Sequence, residues 1–148
     1  MKLNHSYTKV ILAILSVFAF TTGASQAHAY SDCRIMKKYS NFYEELGKIQ
    51  DDRVMQKHSN FYEEVGRIRS GLIEKKYSNF YEEIGRVYND QIEQKYSNFY
   101  EEIGRVYNGQ IEQKYSNFYE EIGRMEGSGC TTEAGGAGAV LLGLLALK

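Results

Sequence analysis

A lysine stands before each of five copies of one block, and a glycine followed by a basic residue closes each copy. The brackets are Lys38 and Gly47-Lys48, Lys57 and Gly66-Arg67, Lys76 and Gly85-Arg86, Lys95 and Gly104-Arg105, and Lys114 and Gly123-Arg124. Processing proteases that select an exposed Lys or Arg cut at such positions, and a glycine beside the basic residue lets the backbone enter an extended-chain site. The pattern predicts release of five short peptides from one precursor. The competing reading is that these charges keep an exposed surface soluble.

The other reactive side chains form no catalytic set. Of the three histidines, His5 and His28 fall in the leader segment, and His58 stands where the other four copies have tyrosine. No Ser or Cys has a base partner at a fixed spacing, so the sequence predicts no enzyme, no cofactor and no metal site. Cys33 and Cys130 flank the repeats. In an oxidising compartment they pair either with each other, closing the array, or between chains. A net charge of -1 supplies no basic surface for nucleic acid.

The blocks recur every 19 residues without insertion or deletion, with Ser40, Ser59, Ser78, Ser97 and Ser116 in register. The block reads Lys-Tyr(His)-Ser-Asn-Phe-Tyr-Glu-Glu-aliphatic-Gly-basic, and the spacers between blocks vary far more. Plotted at ~100° per residue, Tyr77, Phe80, Tyr81, Ile84, Val87, Tyr88 and Ile92 fall on one side and Ser78, Asn79, Glu82, Glu83, Arg86 and Glu93 opposite, which predicts an amphipathic helix per repeat. Asn79 followed by Glu82 has the spacing of a capping box. Nineteen residues rotate each apolar stripe by roughly 100° from the last, so five helices share no common core. The expected fold is mostly α: tandem short amphipathic helices in a non-compact array with flexible termini, showing helical circular dichroism and little cooperative melting.

The ends carry targeting signals. Lys2 and Lys9 precede an apolar run, Val10 to Phe20, and Ala27-His28-Ala29 matches the signal-peptidase pattern, so cleavage is expected between Ala29 and Tyr30. Segments 1–29, 30–37, 38–125 and 126–148 then read as signal peptide, N-terminal flank, five repeats, and a Gly-rich linker with an apolar tail. Small residues at Gly127-Ser128-Gly129, a polar spacer and the apolar Ala139 to Leu147 follow the order of a glycolipid-anchor signal with Ser128 as attachment point. On that second reading the protein is an intact structural or surface repeat protein, and contact with membrane depends on the anchor.

A leader followed by near-identical tyrosine-rich cores flanked by basic residues resembles the fungal ribosomal peptide precursors of the ustiloxin, phomopsin and asperipin type. That resemblance implies a secreted precursor, cut by a kexin-like protease and matured by separate oxidases that cross-link tyrosine side chains into a cyclic natural product. The cores it implies are Tyr39 to Gly47, His58 to Gly66, Tyr77 to Gly85, Tyr96 to Gly104 and Tyr115 to Gly123. Tyr43, Tyr62, Tyr81, Tyr100 and Tyr119 are the foremost candidates for modification, with Tyr39, Tyr77, Tyr96 and Tyr115 beside them. The chain departs from this family in having only two dibasic sites, Lys37-Lys38 and Lys75-Lys76, before its blocks.

Overall fold

A computed structural model describes residues 32–145. The helical expectation is overturned: the repeats are β-hairpins, and together they close into one antiparallel barrel. The ten strands are β1 (Cys33–Lys38), β2 (Tyr43–Gln50), β3 (Arg53–Lys57), β4 (Tyr62–Arg69), β5 (Leu72–Tyr77), β6 (Phe80–Tyr88), β7 (Gln91–Tyr96), β8 (Phe99–Tyr107), β9 (Gln110–Tyr115) and β10 (Phe118–Glu126). Each strand pairs with its sequence neighbours, and β1 pairs with β10, where Ile35 lies opposite Met125. Closure leaves no edge strand in the ring.

Two kinds of two-residue turn make the hairpins. Ser-Asn turns join each short strand to the long strand that follows, so Asn41, Asn60, Asn79, Asn98 and Asn117 sit in turns and cap no helix. At the opposite end, Asn89 and Asp90 (φ 48° and 65°), Asn108 and Gly109 (49° and 78°), and Ser70 and Gly71 (50° and 79°) take positive φ at both central positions. Such paired left-handed residues match the twist of the flanking strands.

The odd period has a geometric cause. A two-residue turn joins residues that face the same way, so each turn shifts the in-out alternation by one position, and the two turns of a repeat cancel. Only an even repeat would then keep the same residue types inside. The nineteenth residue is absorbed by a β-bulge: the register skips Leu46, Val65, Ile84, Ile103 and Ile122. Beside each bulge a glycine meets the neighbouring strand. A Cβ on Gly104 would collide with the Glu112 carbonyl oxygen, and one on Gly47 with that of Met55.

One aliphatic residue per short strand, Ile35, Val54, Ile73, Ile92 and Ile111, is fully buried and forms a ring inside the barrel. Ile49, Ile68, Val87, Val106 and Met125 line the level nearer the base. The remaining space holds α1 (Thr132–Leu141), which packs against β1 to β9. Its sequence, Thr-Glu-Ala-Gly-Gly-Ala-Gly-Ala-Val-Leu, is thin because the barrel allows nothing wider. A Cβ on Gly136 would overlap Val87, and one on Gly138 would lie 2.7 Å from the Ile35 Cδ1. Thr131 caps the helix by accepting from the Ala134 amide at 3.1 Å. Cys130, just before it, is joined to Cys33 in a disulfide with a Cα–Cα distance of 4.7 Å. The apolar tail, as far as Leu145, is therefore part of the plug of the barrel. Leu141, Leu142, Leu144 and Leu145 approach Gly47, Gly123, Gly104 and Gly85 in turn, so the leucines occupy the room that the bulge glycines leave.

Candidate functional site: the aromatic mouth

The residues of the block divide between the two faces of the wall. Along β7, Ile92 and Gln94 are buried and Tyr96 continues their face, while Glu93 and Lys95 point outward. The Tyr96 hydroxyl donates to Gln94 Oε1 at 3.3 Å, and Tyr115 donates to Gln113 Oε1 at 3.1 Å, which places both tyrosines on the inner face at the barrel's mouth. Across each Ser-Asn turn the first aromatic of the block stacks on the phenylalanine. The pairs are Tyr39–Phe42, His58–Phe61, Tyr77–Phe80, Tyr96–Phe99 and Tyr115–Phe118, with centroids 4.7–5.3 Å apart and planes within 20° of parallel.

Five-fold repetition turns these pairs into a ring. Its phenylalanines remain 58–60% exposed, an unusual cost for so many apolar rings at one end of a small protein. The same face carries the first glutamate of each block: Glu44, Glu63, Glu82, Glu101 and Glu120 alternate with the outward-facing second glutamates. Glu63 Oε2 lies 3.1 Å from His58 Nε2, so this carboxylate reaches the aromatic of its own hairpin. Burial raises the Tyr77 hydroxyl pKa above its ordinary value, and the Glu82 charge raises it further. Lys37 and Lys75 also reach the rim, with ammonium groups 5.3 Å and 5.8 Å from the centroids of Tyr39 and Tyr77. A cleft of about 370 Å³ opens here, between Lys37, Gln113, Tyr115 and Glu120 on the wall and Leu142 to Leu144 of the plug.

The outer face uses the rest of the block. Glu121 accepts from Lys38 at 2.6 Å and from the Tyr43 hydroxyl at 2.7 Å, a link that spans the β1–β10 seam. Glu45 likewise takes Lys57 and Tyr62, Glu64 takes Lys76 and Tyr81, Glu83 takes Lys95 and Tyr100, and Glu102 takes Lys114 and Tyr119. Arginine guanidinium groups lie 3.8–3.9 Å from the rings of Tyr81, Tyr100, Tyr119 and Tyr43, and Lys48 lies 4.9 Å from that of Tyr62. Arg67, Arg86 and Arg105 are also ion-paired with Glu74, Glu93 and Glu112. Burial raises the pKa of Glu45, Glu83, Glu102 and Glu121, but their lysine and tyrosine hydrogen bonds outweigh it and bring each below the ordinary carboxylate value. In Glu64 the Tyr81 hydrogen bond is the largest influence and acts in the same direction.

The residues singled out from the sequence are thus separated. The bracketing bases Lys38, Lys57, Lys76, Lys95, Lys114, Lys48, Arg67, Arg86, Arg105 and Arg124 lie in strands and in ion pairs. Tyr43, Tyr62, Tyr81, Tyr100 and Tyr119 serve the outer belt, whereas Tyr39, Tyr77, Tyr96 and Tyr115 serve the mouth. Ser128 is exposed between β10 and α1, and a chain cut there would lose Cys130 and the entire plug. Ala29 and Tyr30 lie outside the described residues. The five phenylalanines and the first glutamates escaped the sequence reading as a site, although their strict recurrence was visible.

Among the described residues no group of three or more His, Cys, Asp or Glu is arranged to hold a metal ion, and no helix is long and apolar enough to cross a membrane. No protein-family model, curated protein or solved structure matches the chain.

Proposed function

We propose that the chain acts intact, as a secreted, disulfide-closed barrel that binds a ligand across its aromatic mouth. The observation that carries this reading is the ring of stacked pairs, which holds five phenylalanines largely exposed at one end of the barrel. Rings fixed by strand pairing on one side and a tight turn on the other lose little side-chain freedom on binding. The charged outer belt supports a barrel that works in water, since a lipid-facing wall requires an apolar band. A leader peptide and the Cys33–Cys130 bond both fit passage through an oxidising secretory compartment.

The precursor reading makes a different demand. A protease must draw the strands containing Lys95 and Lys114 out of the wall, breaking their ion pairs with Glu83 and Glu102. Mass spectrometry of the secreted material separates the two. One species beginning near Tyr30 and retaining a Cys33–Cys130 cross-linked peptide is expected; short peptides beginning after Lys95 and Lys114, or tyrosine fragments lighter by two hydrogens, would establish excision and maturation instead.

A further inference from the structure

Resting on the reading that the mouth binds, we infer that its ligand is a neutral glycan of gluco-configured pyranoses, held at five equivalent stations of Asn, Phe and Glu around the rim. The two ends of the barrel supply the comparison. Both need two-residue turns, and at the base four different dipeptides serve: Asp51-Asp52, Ser70-Gly71, Asn89-Asp90 and Asn108-Gly109. At the mouth all five turns are Ser-Asn. Turn geometry alone does not demand one dipeptide, since the same long strands are closed at the base by varied small and polar residues. The residues after each mouth turn are as constant: Phe42, Phe61, Phe80, Phe99 and Phe118, and two positions later Glu44, Glu63, Glu82, Glu101 and Glu120. In every copy the Ser, Asn, Phe and Glu are exposed, so burial in the wall does not account for their constancy.

The five stations are level. Ile73 lies opposite Ile68, Ile92 opposite Val87 and Ile111 opposite Val106, and across the seam Ile35 lies opposite Met125 in the same repeat register. The ring therefore closes without a net rise, and equivalent residues of the five hairpins stand at one height around the barrel axis. Each station offers an aromatic face already held by stacking, an amide that donates and accepts, and a carboxylate that accepts. A pyranose with all its substituents equatorial has the matching form: C–H bonds across its faces for the phenylalanine, and hydroxyls around its edge for Asn and Glu. Charge selects among occupants. A ring of five exposed carboxylates repels an acidic polymer, and it would confront its own copy if two mouths met. A bilayer would use the phenylalanines and gives no account of the constant asparagines. Level, repeated stations suit a polymer, because several pyranoses engage at once and their affinities compound.

The test is titration of the oxidised full-length mature chain, with its Phe rings isotope-labelled, followed by nuclear magnetic resonance. The probes are cellohexaose, laminarihexaose, glucose, hexagalacturonate and phosphatidylcholine vesicles. At least one neutral hexasaccharide is expected to shift Phe80, Phe99 and Phe118 together and to bind about tenfold more tightly than glucose. Asn41→Gly, Asn60→Gly, Asn79→Gly, Asn98→Gly and Asn117→Gly, combined in one chain, give every mouth turn the Ser-Gly pair that already closes the base turn at Ser70-Gly71. That chain is expected to keep its melting temperature and to lose about tenfold in hexasaccharide affinity. Phe99→Leu, which keeps apolar bulk and removes one ring face, is expected to weaken binding about twofold while Phe80 and Phe118 still respond. Binding that neither the asparagine variant nor Phe99→Leu reduces overturns the inference, as does hexagalacturonate binding as tight as that of the neutral glycans. A response to vesicles, or to protein concentration alone, without one to any glycan also overturns it while leaving the mouth as a binding surface. Rings that respond to no addition overturn it and count against that reading as well.

Discussion

At the residue scale, the block is kept because almost every position in it has a separate geometric duty. Gly104 shows a strict one: an added Cβ would meet the Glu112 carbonyl oxygen and lie 3.0 Å from the Leu144 Cδ2, whereas one on Gly109 meets nothing within 4 Å. Gly104→Ala should therefore lower stability by about 1–3 kcal/mol through overpacking. Gly109→Ala, strained only by its φ of 78°, should cost about 1–2 kcal/mol. Denaturant melts that rank the two in the reverse order would contradict the bulge geometry. The outer glutamates give a pH signature. Because the folded pKa of Glu45, Glu64, Glu83, Glu102 and Glu121 is depressed, the stability they contribute is complete above the unfolded carboxylate value near 4.5 and is lost as pH falls through the folded values. Tyr43, Tyr62, Tyr81, Tyr100 and Tyr119 are raised above 10.0, chiefly by hydrogen bonding to those same carboxylates, so their contribution is complete below pH 10 and lost as pH rises through the folded values. A melting temperature that is flat between about pH 6 and 9 and falls at both ends is expected. Glu83→Gln should shallow the acid limb, and an unchanged limb would show that the Lys95–Glu83–Tyr100 link does not hold in solution.

At the element scale, the plug and the disulfide act as one device. Cys130 begins the segment that fills the barrel, and its bond to Cys33 fixes that segment beside β1 across 97 residues of chain. In the chain-entropy view a loop of that length is worth about 4–5 kcal/mol, so Cys33→Ser should lose stability of that order. A loss below about 1 kcal/mol would mean that helix packing alone holds the plug. The helix reading of the sequence failed here for identifiable reasons. A bulge in every long strand interrupts the period-two alternation, so Phe80, Tyr81 and Ile84 fall at helix-like spacing although Tyr81 faces outward. Opposing evidence stood in the same spacers: Asn-Asp and Asn-Gly between aromatic and aliphatic runs are strong hairpin signals, and tyrosine and isoleucine favour strands. The glycines read as opening the backbone to a protease are contact points between strands. The true helix, at 132–141, was concealed by its small residues, whose selection follows from a barrel that only the closed fold reveals. The phenols and bases of the site were legible as recurring residues, but their sorting into mouth and outer belt depends on strand facing and bulge position.

At the scale of the whole molecule, repetition produces a shared core: each hairpin exposes its apolar face until its neighbours close the ring. Five hairpins around one Gly/Ala helix bury a continuous interior that no single copy contains, so unfolding should be one cooperative event, with β-type circular dichroism and no low-temperature loss of individual repeats. The same closure arranges the rim aromatics into a mouth, so binding there depends on the ring being complete. The seam between the first and last strands is where this is decided. Nuclear Overhauser contacts in the oxidised chain test it directly: cross-strand peaks linking Arg34, Ile35 and Met36 with Glu126, Met125 and Arg124, together with slow amide exchange in both strands, are predicted from the β1–β10 register. Absent cross-peaks, with β1 and β10 amides exchanging as freely as those of an open edge, would contradict the closed barrel.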